Sequence, residues 1–262
     1  MAGMPSPEAA HFVKTLAAAP PGYFAWEAAG LRWLAAAAGA RVVDVVRADT
    51  DHLVLQRLTV DTPSRPAAEA FGRDLARTHT AGTPAYGSGP AGWDGDGWLG
   101  PSIDLLPLRL GAYERWGEMY AELRLLPLAH EGVRRGALTV DDLALVDRLG
   151  DRLRGAAYDT GEPPARLHGD LWAGKVIWTA DGVVLIDPAA HGGHREADLA
   201  MLQLFGSPRL PTVLAAYDEV APLVDGWQER VLLHQLHPLL LHAVVFGGGY
   251  VGQAMRGVQH YL

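Results

Sequence analysis

The sequence contains no cysteine, so disulfide bonds, thiolate nucleophiles and Cys-ligated zinc are excluded. The formal net charge is -8, and we find no local basic patch, which argues against nucleic acid and against a membrane surface as partners. The N-terminus lacks the basic start and apolar run of a signal peptide. The longest apolar stretch, residues 232–246, contains three histidines and predicts a buried helix. We therefore expect a cytoplasmic protein whose partners are small molecules or proteins.

The amino-acid composition is typical of a folded protein, with 49% hydrophobic and 20% charged residues. A chain of 262 residues is long enough for one or two compact units. Residue patterns near the start predict a strand at 11–14 and a helix at 23–38. Two Val- and Leu-rich runs, 41–46 and 52–58, predict a hairpin. The first sixty or so residues should thus form one small mixed unit.

A cluster of prolines after residue 62 marks a boundary, so we predict an N-terminal lobe over 1–62 and a C-terminal lobe over 63–262. The Gly- and Pro-rich stretch 80–102 is too apolar for a disordered linker and should be an ordered surface loop. From Trp116 onwards the chain should be mainly helical. One segment of different character, 163–188, interrupts this helical part.

Two aspartates, Asp170 and Asp187, lie in that segment where predicted strands end. Acid, base and metal-binding groups can be held rigidly at such places, although either residue alone is also typical of a turn or a cap. Together they fit the kinase template, in which a His-x-Asp loop supplies a catalytic aspartate and a second aspartate, after a hairpin, binds magnesium. The carboxylate can take up the proton of an acceptor hydroxyl, and magnesium prefers oxygen ligands.

The sequences HGDLW from His168, IDPA from Ile186 and GHREADLAM from Gly193 resemble the fructosamine and ketosamine kinase family. Further matches extend the resemblance over residues 12 to about 252. The resemblance implies an α+β, bilobal, protein-kinase-like fold with a small N-terminal lobe, made of a sheet and one helix, and a larger, mainly helical C-terminal lobe. It also implies that ATP and Mg²⁺ are used to phosphorylate a hydroxyl of a ketosamine, which is a sugar attached to an amine by glycation.

The resemblance assigns roles to individual residues. It implies Asp170 as the catalytic base and Asp187 as the magnesium ligand. The residues implied for ATP are Lys14 at the phosphates, Glu27 as its ion-pair partner, and Gln56 and Leu58 at the hinge that faces adenine. The residues implied for the substrate are Trp172, His194, Arg195 and Glu196. Lys14 as a plain surface lysine and Trp172 as a packing residue remain alternatives, and Asp198 is expected to hold the catalytic loop.

Zinc binding by His191 and His194 is not favoured, because no third ligand occurs at helical spacing.

The sequence departs from the family pattern at Lys175, where the family has a metal-binding Asn. An ammonium group would repel magnesium and would be attracted to Asp170 and Asp187, by roughly 4 kcal/mol at ~4 Å with an effective dielectric constant near 20. Lys175 is therefore a candidate catalytic residue, as an internal cation that replaces one metal. Alternatively it is a lock that occupies the aspartates, or it turns outward into solvent. We expect it to point inward.

A second departure is expected before Lys14, where only 13 residues precede the lysine. Two strands of ~5 residues and a glycine turn would barely fit there, so we expect that the lid over the ATP phosphates is absent. Either the chain is a shortened product or tight nucleotide binding has been lost. Two functions remain open: a small-molecule kinase, or a pseudokinase that binds a metabolite or partner, or runs non-phosphoryl chemistry, in the same cleft.

Overall fold

The structure is a computed structural model and describes residues 11–262. Its strands are β1 His11–Thr15, β2 Val45–Ala48, β3 His52–Gln56, β4 Gly97–Leu99, β5 Leu106–Leu108, β6 Ala165–Leu167, β7 Val176–Thr179, β8 Gly182–Leu185 and β9 His191–Gly193. Its α-helices are α1 Tyr23–Ala35, α2 Arg65–Thr80, α3 Trp116–Met119, α4 Leu126–Arg135, α5 Val140–Arg154, α6 Glu196–Leu204, α7 Leu210–Val220, α8 Trp227–Phe246 and α9 Gly249–His260.

The N-terminal part is an antiparallel sheet in the order β1-β3-β2, covered by α1. The predicted strand, helix and hairpin are confirmed, with bounds that differ: β1 is one residue longer, α1 and β3 are shorter, and β2 begins later. The helix ends at Ala35, and Ala38 adopts a left-handed conformation with φ 51°. The first hairpin strand begins at Val45, because the preceding residues pair elsewhere: the amide of Val43 donates to the carbonyl of Leu185 at 2.9 Å.

This pairing joins the N-terminal sheet to the hairpin formed by β7 and β8. The amide of Leu185 donates in turn to the carbonyl of Arg41 at 2.9 Å. Val184, in the same strand, belongs to the hydrophobic cluster of Phe24, Leu31 and Leu53. The hairpin that leads into Asp187 is thus fixed against the sheet that carries Lys14.

The remaining helices pack around two further clusters. Helix α2 lies against α7 so closely that a Cβ on Gly72 would come within 2.3 Å of the carbonyl oxygen of Val213, which is why glycine is needed there. Helix α8 packs against α4, α6 and α9, and its residues Leu233, Leu236 and Leu240 are buried. Among residues 11–262, no helix is both long and apolar enough to cross a membrane.

Strand β9, the hairpin of β4 and β5, and a π-helical turn were not predicted. The short hairpin of β4 and β5 begins within the expected loop and is fixed by distant contacts, since the indole of Trp26 donates to the carbonyl of Trp98 at 3.3 Å. A π-helical turn, Tyr120–Leu125, joins α3 to α4. Pro127 has no amide hydrogen for the carbonyl of Leu123, four residues earlier, and Arg124 Nη1 donates to that carbonyl instead, at 3.1 Å.

Candidate active site

The loop His168-Gly169-Asp170 follows β6 and is held from below by α6. Gly169 has φ +81°, and a Cβ there would lie 2.2 Å from the carbonyl oxygen of Ala189, so a larger residue cannot be accommodated. The carboxylate of Asp198, on α6, accepts from the amide of His168 at 2.7 Å and from that of Gly169 at 2.9 Å. The predicted structural role of Asp198 is therefore confirmed.

The ring of His168 fixes the loop to the neighbouring segment. Its Nδ1 accepts from the amide of Asp170 at 3.2 Å, so Nε2 carries the hydrogen and donates to the carbonyl of Ile186 at 2.9 Å. Burial lowers the pKa of this histidine, which keeps the ring neutral as this pattern requires. The positions of Asp170 and of Asp187, which follows Ile186, are thereby coupled.

Asp170 extends from this loop into a cavity of about 390 Å³. Burial raises the pKa of its carboxyl group to about 7, and the opposing charge of Lys175 limits the rise. A carboxyl group with a pKa near neutrality can both accept and release a proton under physiological conditions.

A chain of ion pairs runs beside Asp170. Asp187, with φ +50°, accepts from Lys14 Nζ at 2.9 Å on one oxygen and from Lys175 Nζ at 2.8 Å on the other. Lys14 Nζ also donates to Glu27 at 2.6 Å. Burial opposes ionisation of Asp187, but the two ammonium groups lower its pKa to about 2. Lys14 is thus no isolated surface lysine, and Lys175 points inward.

This arrangement does not fit a magnesium ion. Magnesium needs oxygen ligands in nearly octahedral geometry, whereas both oxygens of Asp187 are engaged by ammonium groups. Lys175 occupies the position at which the resemblance implies a second ligand, and its ammonium group cannot coordinate a cation. The side chains at this site therefore do not form the ligand set that a magnesium ion needs.

The walls of the cavity are largely apolar and aromatic. Its apolar lining includes Leu99, Trp116, Met119, Leu167, Met201 and Leu241. Trp172 lies at the cavity with 38% of its surface exposed, and its ring meets Phe205 edge to face at 6.4 Å between centroids. This position is compatible with both of its predicted roles, packing and stacking on a sugar.

Of the other predicted substrate residues, only His194 lines the cavity. Its Nε2 lies 2.9 Å from the hydroxyl of Thr160. Arg195 is not part of the described lining; it donates to Glu162 at 2.7 Å and to the carbonyl of Ala221 at 2.8 Å.

Glu196 is also absent from that lining. It is buried and accepts from Arg230 Nε at 2.9 Å and from His234 Nε2 at 3.2 Å. The geometry therefore does not support a substrate contact for Arg195 or Glu196, because their charged groups are used to hold α6 and its preceding loop against neighbouring elements.

His194, Glu196 and His234 form a cluster whose potential ligand atoms lie within 4.8 Å of one another. Sequence spacing alone did not reveal it, because His234 comes from the distant helix α8. Burial opposes ionisation of Glu196, but hydrogen bonds from His234 and Arg230 lower its pKa to about 2. Because the guanidinium already neutralises the carboxylate, the cluster is complete without a cation.

The two residues predicted to face adenine, Gln56 and Leu58, lie at the end of β3 and just after it. Gln56 ends β3, and its amide donates to the carbonyl of Asp44 at 2.9 Å. Leu58 is half-buried against the core of that sheet. The expected absence of a phosphate lid concerns residues 1–10, which lie outside the described residues, and the lobe boundary at residue 62 stays a prediction.

Comparison with known proteins identifies the family. The model of the fructosamine kinase family matches residues 4–262. The chain belongs to the fructosamine kinase family. A relative from Synechocystis, named a probable ketoamine kinase, is 34% identical over 264 residues, which cover 97% of this chain and 84% of the relative.

Solved structures of similar proteins support the fold described above. A protein from Thermobifida fusca, provisionally described as a fructosamine-3-kinase, has a TM-score of 0.85 and 46% identity, covering 96% of this chain and 85% of its own. The streptomycin–ATP ternary complex of an aminoglycoside phosphotransferase has a TM-score of 0.59 at 13% identity, covering 97% and 84%. At that identity it shows the fold alone. The protein-kinase-like fold expected of a fructosamine kinase is thus confirmed.

Proposed function

We propose that the protein is an ATP-dependent phosphotransferase that phosphorylates a hydroxyl group of a ketosamine. The observation that carries this proposal is the partly buried carboxyl group of Asp170, which its hydrogen-bonded loop holds at the cavity with a pKa of about 7. Asp170 takes the proton of the acceptor hydroxyl while the oxygen of that hydroxyl forms a bond to the γ-phosphorus of ATP. The bond from that phosphorus to the bridging oxygen breaks, and ADP leaves.

Other residues position the two substrates. Lys14, which donates to Glu27, is proposed to contact the ATP phosphates, and the backbone around Gln56 and Leu58 is proposed to face adenine. Trp172 and His194 line the cavity where the sugar would lie.

Lys175 is proposed to supply positive charge beside the phosphates, where relatives would use one metal ion. Its ammonium group lies 2.8 Å from Asp187, within the same ion-pair chain as Lys14. An ammonium group held in a partly buried site can stabilise the negative charge that develops on a transferred phosphoryl group. Mg²⁺ is the ion that the family implies, but these residues do not fit it.

The pseudokinase function, in which the cleft binds a metabolite or a partner without phosphoryl transfer, is the second candidate. The same ion pairs favour it, because both oxygens of Asp187 are occupied and Lys175 then acts as a lock.

One experiment separates the two functions. ATP is titrated into the protein by calorimetry, once with magnesium and once with EDTA, and transfer to fructosyl-lysine is followed by ³¹P NMR. We expect ATP binding that survives EDTA, together with transfer that Asp170→Asn abolishes. Failure to bind ATP at millimolar concentration would rule out the kinase proposal, and binding without transfer would favour the pseudokinase.

A further inference from the structure

Arg124, in the π-helical turn, is a buried cation with unused hydrogen-bond donors. Only 2% of the residue is exposed. Its Nη1 donates to the carbonyls of Arg109 at 2.7 Å and Leu123 at 3.1 Å. Nε and Nη2 are buried and have no partner among the described residues. Because buried donors are almost always satisfied, two such nitrogens on one guanidinium require an explanation.

No carboxylate of residues 11–262 pairs with this guanidinium. Burial lowers the pKa of Arg124 to about 10, so the group remains charged at neutral pH. The charge of Asp96 acts on it from a distance, but that side chain is exposed and accepts from the amide of Leu110 at 2.9 Å. A buried charge without a partner is strongly unfavourable, so the site is electrostatically incomplete as it stands.

Arg124 lines the same cavity as Asp170, together with His191 on β9 and His237 on α8. Burial, followed by the charge of Arg124, lowers the pKa of His191 to about 3 and that of His237 well below its usual range. Both rings are therefore neutral. His191 Nδ1 donates to the carbonyl of Ala189 at 2.8 Å, so its Nε2 carries no hydrogen. The ring of His237 can donate a hydrogen bond to an anion at this wall without adding positive charge.

We propose that Arg124 binds a carboxylate of the acceptor, so that the acceptor is a ketosamine formed from an amino acid with a free carboxyl group. This inference rests on the proposed function, because it assigns the substrate class of the same cavity. The unpaired Nε and Nη2 form the side of the guanidinium that makes two parallel hydrogen bonds to a carboxylate. A carboxylate is favoured over a phosphate because its single charge matches the single cation.

The two nitrogens are buried, so binding requires a side chain at the cavity wall to rotate. Such rotamer changes are common when ligands bind. The resulting hydrogen bonds would be shielded from water, which strengthens them.

The test compares two ligands that differ only in charge, fructosyl-glycine and fructosyl-glycinamide. Binding of each to the wild-type protein is measured by calorimetry without nucleotide, so that the result does not depend on phosphoryl transfer. We expect the acid to bind about tenfold tighter than the amide, or more. Arg124→Gln should remove this preference, and Arg124→Lys should retain only part of it. Arg148→Gln, at an exposed position on α5, is the charge-matched control and should retain it fully.

Equal affinity for the acid and the amide in the wild type, or binding of neither, would overturn the proposal. That comparison needs no variant, so it stands even if Arg124→Gln fails to fold. A preference that persists in correctly folded Arg124→Gln would also overturn it. A preference for the acid in a protein that does not bind ATP would leave the carboxylate site in place while the kinase function failed.

Discussion

The burial of Asp170 should have an effect on stability that can be measured without any substrate. Its pKa is raised from 3.8 to about 7 in the folded protein, so between these values the folded state keeps a proton that the unfolded state has lost. Stability from this group is therefore full below pH ~4 and is lost as the pH rises towards ~7.

Asp170→Asn removes this dependence, and we expect the variant to be more stable than the wild type at pH 8, on the order of 2 kcal/mol, but not at pH 4. Urea unfolding at both pH values measures the difference. Asp181→Asn, on the exposed turn between β7 and β8, is the control and should show no such pH-dependent gain. A gain for Asp170→Asn that is equal at both pH values would contradict the raised pKa.

Lys175→Asn tests whether Lys175 keeps magnesium away from Asp187. The substitution removes the ammonium group from one oxygen of Asp187 and adds an amide oxygen, which magnesium accepts as a ligand. We expect ATP binding to become dependent on magnesium, with an affinity about tenfold higher in magnesium than in EDTA by calorimetry. Lys175→Met removes the charge without adding an oxygen, so it separates the two effects. If the asparagine variant responds to magnesium no more than wild type, Lys175 does not occupy a metal position.

At the scale of elements, helix α6 determines where the catalytic loop lies, through Asp198. Asp198→Ala would leave the amides of His168 and Gly169, and the ring of His79 at 3.2 Å, without an acceptor in a buried region. We expect a loss of about 3 kcal/mol or more in the free energy of unfolding. Chemical denaturation measures it, with Asp181→Ala as the control. A loss below 1 kcal/mol, about the value for an exposed site, would show that the hydrogen bonds to Asp198 are not needed for stability.

Sequence patterns predicted the elements around Asp170 because their signals are local. The turn at Asp181-Gly182 and the apolar runs on either side of it are sufficient to predict the hairpin of β7 and β8. Local patterns could not predict the contacts of Arg195 and Glu196, because these contacts involve residues distant in sequence. Glu196 accepts at 2.9 Å from Arg230, which lies 34 residues away on another helix. The charge of a residue and its distance from a motif indicate that it lies near a site. They do not indicate whether its side chain contacts the substrate or another part of the protein.

Arg124 is a candidate site residue that the sequence patterns did not predict. The sequence contained a usable signal, because Pro127 follows it within a helical run and predicts a carbonyl that lacks its helical partner. Nothing local predicts that the guanidinium lacks a carboxylate, since this depends on every element packed around it. A π-helical turn is frequent at functional sites, which makes such an interruption worth examining in a predicted helix.

At the scale of the whole molecule, the two predicted lobes are joined by both apolar and hydrogen-bonded contacts. The cluster of Phe24 and Leu53 includes Val184 from the C-terminal part, and the amide of Asp61 donates to the carbonyl of Trp178 at 2.8 Å. Lys14 adds an ion pair to Asp187 across the same region. These contacts imply that the N-terminal sheet cannot unfold without exposing apolar surface of the β7–β8 hairpin.

We therefore expect one cooperative unfolding transition for the whole chain. Differential scanning calorimetry should give equal calorimetric and van't Hoff enthalpies, and tryptophan fluorescence should coincide with far-UV circular dichroism. Val184→Ala, at a residue only 1% exposed, should lower the stability of this single transition by about 1–3 kcal/mol and leave it single. The conservative control is Val13→Ala, at an exposed position on β1, which should change stability far less. Two separate transitions in the wild type, with the variant moving only one of them, would mean that the lobes are thermodynamically independent and that the shared cluster does not couple them.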